Sequence, residues 1–232
     1  MKEIWILLLA AHVYGDFLLQ SDRVAADKRS LSNLMLHACI HGMVAYLILQ
    51  QWQWWPLIPA VALMHALVDF VKARFQATSR AFVVDQVVHV LTLGALAWLL
   101  GGLLPQPETL RTVVFHREIV LGAGFVAAVF GVGFFIRAVS DEMCDQNPEL
   151  RHELSKGLRH GGSMIGKLER ALIFVFVMIG QPSGIGFLIA AKSILRFEES
   201  KKQPLAEYVL IGTLWSVGLA LSLAFLTLRA IR

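Results

Sequence analysis

The sequence predicts an all-α integral membrane protein, a polytopic bundle of about 7–8 transmembrane helices. Of its 232 residues, 56% are hydrophobic and only 16% are charged, and the mean hydropathy is positive. Apolar runs rich in Leu, Val and Ala recur along the whole chain. Ionisable residues occur at a regular spacing inside the first four runs. Such residues are energetically costly in a membrane helix, so their presence indicates a functional site.

Eight apolar segments are the candidates for these helices. The turn signal at 180–184 separates two short ones, which form either a hairpin or one broken helix. The charges favour the hairpin. With the N-terminus outside, sixteen of the 21 Lys and Arg fall in the cytoplasmic regions 23–29, 72–80, 137–170 and 192–202. The segments are 4–20, 34–50, 56–72, 81–104, 117–139, 168–180, 185–196 and 206–228.

These segments fall into two predicted domains. Residues 1–104 are expected to form a four-helix bundle that carries a His/Asp site, and residues 105–232 the C-terminal membrane helices. Within the second domain, residues 141–167 contain a short amphipathic segment that follows Pro148 and lies on the cytoplasmic surface. The composition and the charge distribution predict a multi-pass membrane protein with its N-terminus outside.

Four pairs of ionisable residues are the main candidates for function. Each pair has the spacing i,i+4, which places both side chains on one face of a helix. Counted from the cytoplasmic end of each predicted helix, the pairs form two layers at depths of ~5 Å and ~11 Å, at 1.5 Å per residue. This agreement in depth predicts that the pairs converge. They are His12/Asp16, His37/His41, His65/Asp69 and Asp85/His89.

Imidazole and carboxylate groups together predict a transition-metal site, with zinc as the first choice and iron or manganese as alternatives. Eight such ligands from four helices suit one or two ions. Some of the aspartates could instead orient a metal-bound histidine. The competing interpretations are hydrogen-bonded packing residues and a proton or ion path, which also places Asp and His in a row.

Asp85 is our first choice for a general base, and Lys72 for a cation that holds a lipid phosphate or carboxylate at the membrane surface. A lysine whose ammonium group simply reaches the interface is the alternative for Lys72. Gln20, Lys28 and Gln86 lie around the same cluster.

Together these residues favour a metal-dependent intramembrane hydrolase. It would act on a lipid, a lipid-linked phosphate or a membrane peptide from the cytoplasmic side. The alternatives are a divalent-metal or proton transporter, a di-iron membrane oxidase or hydroxylase, and, less favoured, a haem protein. No nucleic-acid-binding patch is found, and the sequence leaves the oligomeric state open.

In the second half, charged residues near the inner ends of the last predicted helices suggest one of two arrangements. They form either an ion-pair network between helices or the mouth of a pocket for an anionic substrate, and we prefer the network. They are Glu169, Arg170, Lys192, Arg196 and Glu207.

The polar residues of the first four segments also carry a resemblance to a known family. The string is His12-x-x-x-Asp16-Phe17-x-x-Gln20, Lys28, His37-x-x-x-His41, His65-x-x-x-Asp69-x-x-Lys72 and Asp85-Gln86-x-x-His89. Over about residues 4–95 it resembles the bacterial membrane-protein family called domain of unknown function 3307. The stretches 166–170 and 191–197, with Glu207-Tyr208, resemble the C-terminal half that often accompanies it. The resemblance implies that the polar residues act as one unit and that the protein lies in a bacterial inner membrane. It implies no particular activity.

Overall fold

All regular structure in the part of the chain described here is helical, so the predicted all-α class is confirmed for these residues. Contacts divide the chain into two compact units, Met1–Val126 with Ile231 and Ala127–Ala230 with Arg232. The predicted boundary between residues 104 and 105 lies outside the described residues. The computed structural model describes residues 2–20, 30–76, 78–101, 103, 110–155, 161–195 and 203–232.

Four helical segments are long and apolar enough to cross a membrane, by length and composition alone. A fifth helix, Ser183–Leu195, has a shorter apolar stretch. The chain therefore has the composition of a membrane protein. The four segments are Leu31–Leu49, Ser79–Leu100, Phe115–Gln146 and Gln203–Ala230.

The first unit is a four-helix bundle with a fifth helix beside it. Helix α1 packs against α2 and α4, and α3 packs against the same two helices, so the four close into a ring. Helix α5 packs against α1. The first four helices begin and end within a few residues of the predicted segments. The helices are α1 (Lys2–Phe17), α2 (Leu31–Leu49), α3 (Leu57–Lys72), α4 (Ser79–Leu100) and α5 (Leu110–Val126).

One end of the bundle is filled by apolar side chains, which we call the apolar plug. It gathers the first turns of α1 and α3 and the last turns of α2 and α4, as the antiparallel order of the helices requires. Burial of this set stabilises the packing of the four helices at this end. The plug consists of Ile4, Leu7, Leu8, Ala11, Ala45, Ile48, Leu49, Leu57, Val61, Leu93, Ala97 and Leu100.

Two close contacts fix how these helices approach one another. A Cβ atom on Gly42 would lie 2.3 Å from the carbonyl oxygen of Ile58, so α2 and α3 can pack this closely only with glycine there. The Tyr14 hydroxyl donates to the carbonyl oxygen of Ile119 at 3.0 Å and joins α1 to α5. Gly122 leaves room for that hydroxyl, since a Cβ there would lie 2.2 Å from it.

The second unit begins with a π-helical turn and continues with five helices. Helix α10 packs against α6 and α8, and α9 packs against α8. The elements are the π-helical turn Ala127–Gly131, α6 (Val132–Gln146), α7 (Pro148–Ser155), α8 (Gly161–Met178), α9 (Ser183–Leu195) and α10 (Gln203–Ala230).

Buried Arg170 accounts for the π-helical turn. Its Nε and Nη2 atoms donate to the carbonyl oxygen of Val129, at 3.0 and 2.8 Å, and its Nη1 donates to Ser216 Oγ at 3.2 Å. The guanidinium group lies against Gly133 and Gly166, where added Cβ atoms would come within 2.9 and 3.0 Å of it. A π-turn changes the helical bonding of its carbonyls, and here the arginine supplies the donors that a buried carbonyl needs.

Among the described residues of the predicted ion-pair network, one bridge between helices is present. Lys192 Nζ donates to Glu169 Oε2 at 2.6 Å, which joins α9 to α8. Glu207 instead accepts from Gln203 on its own helix at 3.1 Å. Arg196 lies outside the described residues.

The described residues of the predicted amphipathic segment at 141–167 belong to the end of α6, to α7 and to the start of α8. Helix α6 continues to Gln146, beyond the predicted end of the fifth segment at residue 139, and α7 begins at Pro148. Between them Asn147 has an extended conformation, as expected before proline, and its Oδ1 accepts from the Leu150 amide at 3.1 Å. Leu150 is buried, whereas Leu158 lies outside the described residues.

The predicted turn at 180–184 is present and ends α8. Gly180 has φ +70°, its amide donates to Val177 O at 3.1 Å, and the Gln181 amide donates to Phe176 O at 2.8 Å. These bonds form a Schellman motif, whose left-handed position favours glycine because it has no Cβ.

We expect Gly180→Ala to lower the free energy of unfolding by about 1–2 kcal/mol, because a Cβ is disfavoured at positive φ. Unfolding in mixed detergent micelles, followed by circular dichroism, would measure the change. Gly186→Ala is the matched control, since a Cβ there meets nothing within 4 Å. Equal stability of the two variants would contradict this account of the turn.

Candidate metal centre

Helices α1 to α4 bring all eight members of the four predicted pairs together inside the bundle. Each helix contributes one pair, and the i,i+4 spacing turns both members inward. Every one of these residues is at most 6% exposed. They are His12, Asp16, His37, His41, His65, Asp69, Asp85 and His89.

The Oδ1 atom of Asp16 lies at the meeting point of three histidines. His37 Nε2 and His41 Nε2 are each 3.2 Å away, and His65 Nε2 is 3.6 Å away. His37 has the geometry of a hydrogen bond to this oxygen. The Nε2 atoms of His41 and His65 have no hydrogen-bond partner among the described residues, although both are buried. Three imidazole nitrogens therefore converge on one carboxylate oxygen, and only that of His37 forms a hydrogen bond with it.

These separations fit a metal coordination shell. Zinc lies about 2.0–2.1 Å from nitrogen and oxygen ligands, so the ligand atoms of a tetrahedral site lie about 3.3–3.4 Å apart. The separations from Asp16 Oδ1 are 3.2, 3.2 and 3.6 Å. One ligand atom from each of Asp16, His37, His41 and His65 lies within 4.8 Å of all the others. We call these four residues the first ligand group.

The other oxygen of Asp16 points to a different set of side chains. Its Oδ2 lies 3.6 Å from His12 Nε2 and accepts from Gln86 Nε2 at 3.3 Å. His12, His65 and His89 can offer three ligand atoms within 4.8 Å of one another, and we call them the second ligand group. The two oxygens of Asp16 thus face two neighbouring sets of ligands.

Asp69, Asp85 and His89 make the third ligand group. His89 Nδ1 lies 3.0 Å from the carbonyl oxygen of Asp85, and this bond assigns the ring proton to Nδ1. The lone pair of Nε2, which is buried and has no hydrogen-bond partner among the described residues, is then left for a cation. Asp69 Oδ2 lies 3.7 Å from the Nε2 atoms of both His37 and His65, so this group adjoins the first.

The histidine rings are stacked closely. The ring centroids of His41 and His65 are 3.5 Å apart, and those of His12 and His89 are 4.7 Å apart. Two protonated rings at such distances inside an apolar bundle would repel strongly, so we expect at least one ring of each stacked pair to be neutral. Neutral imidazole is the form that binds a metal ion.

The structure pairs the two predicted catalytic residues with each other. Lys72 Nζ donates to Asp85 Oδ2 at 2.5 Å, and Gln86 Nε2 donates to the same oxygen at 3.1 Å. The Asp85 side chain is 2% exposed and that of Lys72 is 31% exposed, so Lys72 lies where the site meets the surface. Lys28 lies outside the described residues.

Two residues have larger roles than the sequence analysis gave them. Gln86 contacts His12, Asp16 and Asp85, whereas the sequence placed it only near the cluster. Gly15 was not singled out, although a Cβ there would lie 2.3–2.7 Å from three atoms of the His41 ring. A glycine directly before the buried Asp16, inside an apolar helix, was the signal that could have identified it.

Comparison with known proteins gives one match. Residues 4–111 match the model of a family described as a protein of unknown function, DUF3307, which confirms the predicted resemblance over this region. The matched region contains all four pairs, Lys72 and Gln86. No curated protein and no solved structure matches the chain.

We expect Gly15→Ala to destabilise the bundle by about 1–3 kcal/mol, because the added methyl group would force the His41 ring out of the site. Thermal unfolding in detergent would measure the loss. Gly94→Ala is the control, since its Cβ would lie 3.5 Å from Trp5, an ordinary contact. If both variants unfolded like the unaltered protein, the close contact between Gly15 and His41 would be disproved.

Proposed function

We propose that this protein is a metal-dependent hydrolase of a bacterial inner membrane, and that its four-helix bundle binds one or two transition-metal ions. The observation that carries the proposal is the first ligand group, in which three imidazole nitrogens surround one oxygen of Asp16 at 3.2–3.6 Å. Zinc is our first choice because nitrogen and carboxylate ligands at tetrahedral spacing are typical of it, with iron or manganese as alternatives.

The arrangement in the membrane follows from the charges and the helices. The four long apolar helices support insertion, and the excess of Lys and Arg in alternate loops supports an outside N-terminus and about 7–8 membrane helices. In this orientation the ligand groups lie toward the cytoplasmic side and the apolar plug toward the outside. A substrate would therefore enter from the inner leaflet or the cytoplasm.

The surrounding residues can support hydrolysis. A bound metal ion would polarise the substrate and lower the pKa of a coordinated water. Lys72 would hold the anionic group of the substrate, and it already bonds Asp85. Asp85 Oδ1 is buried and has no hydrogen-bond partner among the described residues, which supports the proposal that it takes the proton of the attacking water. Gln86 would orient the carboxylates of Asp16 and Asp85.

The bundle favours an enzyme over a transporter. A transported ion or proton needs a polar path to both sides of the membrane. The ligand groups end at the apolar plug, whose buried members are all aliphatic. A di-iron oxidase or hydroxylase is less favoured, because three of the eight candidate ligands are aspartates and we would expect more histidines.

We expect the purified protein to hold about one or two equivalents of a transition metal, as a bundle site of this kind does. The measurement is elemental analysis by mass spectrometry. His41→Ala should lose at least one ion, because it removes one of the three nitrogens around Asp16. His116→Ala is the control, since His116 lies on α5 outside the ligand groups.

A metal content below about 0.3 equivalents that His41→Ala leaves unchanged would refute the proposed site, since a tetrahedral site needs its ligands. Metal uptake into proteoliposomes that depends on Asp69 would favour the transporter instead. Iron with an oxygen-sensitive visible band would favour the oxidase.

We expect the protein in proteoliposomes to release phosphate from phosphatidic acid or a polyprenyl phosphate. Chelation should abolish this activity and zinc should restore it. Asp85→Asn should lower the rate by about 10²–10⁴-fold, because the amide cannot accept the proton of the attacking water. Asp145→Asn, a surface substitution on α6, is the control. Equal rates for the two variants would exclude Asp85 from the reaction.

A further inference from the structure

An open groove runs between the last turns of α3 and the first turns of α4. Its volume is ≈ 780 Å³. Apolar side chains form most of its walls, and several of them are strongly exposed: Val71 is 51%, Phe75 68% and Val84 61% exposed. An apolar groove with a few polar groups at one end is typical of a ligand site.

The groove leads to the candidate metal centre. Asp85 and Lys72 line it, and Asp85 is also a member of the third ligand group. A molecule in the groove would therefore touch the carboxylate that the proposed function assigns to catalysis. The inference that follows rests on that proposed function and names its substrate class.

The charges of the groove point to an anionic headgroup. Lys72 and Arg80 line it, against the single carboxylate of Asp85. The Lys72 ammonium group already bonds Asp85, so these two charges compensate each other. The exposed guanidinium group of Arg80 is then the positive charge that remains for an anionic ligand. Thr78 lies beside it at the start of α4, where its Oγ1 accepts from the Ala81 amide. This end of the groove is the end at which α3 and α4 are joined.

The apolar walls continue in the other direction. Leu67 and Val68 on α3 face the groove together with Val84 and Val88 on α4, one to two turns deeper in the bundle than Arg80. A lipid has the same polarity, with a charged head at the membrane surface and an apolar chain below it. Neither a free anion nor a soluble peptide would use both ends of this groove.

We infer that the groove binds a membrane lipid with an anionic phosphate headgroup. The phosphate lies against Lys72 and Arg80, and one acyl or prenyl chain lies between α3 and α4. This placement brings the bond between head and chain next to Asp85, where hydrolysis would occur. The lipid enters sideways from the inner leaflet.

A photoactivatable phosphatidic acid, with a diazirine in one chain, tests the inference. The full-length protein is placed in nanodiscs of phosphatidylcholine, irradiated and mapped by peptide mass spectrometry. We expect labelling to concentrate within residues 67–88. Val84→Trp should reduce this labelling to background because it fills the groove, whereas Val87→Trp should not. Val87 is also an exposed valine on α4, and it lies outside the groove.

The headgroup is tested separately. Arg80→Gln should weaken labelling by about fivefold, because one cation near an anionic headgroup contributes that much to binding. Arg74→Gln is the matched control, since Arg74 lies over the Phe70 ring outside the groove. A phosphatidylcholine probe should label the groove weakly and equally in both variants, and inorganic phosphate alone should not displace the lipid.

Labelling spread evenly over the exposed helices, or unaffected by Val84→Trp, would overturn the inference. Equal labelling by the two headgroups would also overturn it, and so would cross-linking of the groove to a second copy of the chain. The metal content of the same samples tests the proposed function separately. Groove labelling in a protein that holds no metal would refute the proposed hydrolase and support the lipid site. Metal in a protein whose groove is not labelled would support the metal centre and refute the lipid site.

Discussion

The carboxylate of Asp16, buried where four helices meet, is the constraint on which the rest of the first unit depends. Taking a charged carboxylate out of water costs several kcal/mol unless a cation or good hydrogen bonds replace the lost solvation. Here Gln86 donates to one oxygen, and three imidazoles lie close to the other. The Nε2 atoms of His41 and His65 still have no hydrogen-bond partner among the described residues. A cation bound there, as proposed above, would compensate both the carboxylate and the lone pairs of the histidines.

The burial of Asp16 accounts for the difference in polarity between the two ends of the bundle. The apolar plug supplies the contacts that hold the helices together, so the other end is free to carry polar groups. Glycines at the contacts, such as Gly15 beside His41 and Gly42 beside Ile58, let the helices come close enough for their side chains to share one point. The groove between α3 and α4, for which we infer a lipid, opens at the polar end. Stability and proposed chemistry thus occupy separate layers of the same four helices.

The sequence predicted the inward faces well because i,i+4 spacing and depth are local properties of a helix. It could not predict the rotation of each helix, which decides that Asp16 rather than Asp69 lies at the centre of the three imidazoles. It also could not predict that Lys72 bonds Asp85, because that contact joins two helices. The π-helical turn escaped prediction for the same reason: its arginine partner, Arg170, lies 41 residues along the chain.

The three ligand groups restrict how many ions the site can hold. A neutral imidazole binds one ion, and the second group shares His65 with the first and His89 with the third. The first and third groups share no residue and can be filled together, which leaves His12 to bond Gln86. The count of ions therefore decides the role of Asp85. With two ions it is a ligand held in place by Lys72, and with one ion in the first group its Oδ1 atom remains for the proton of the attacking water.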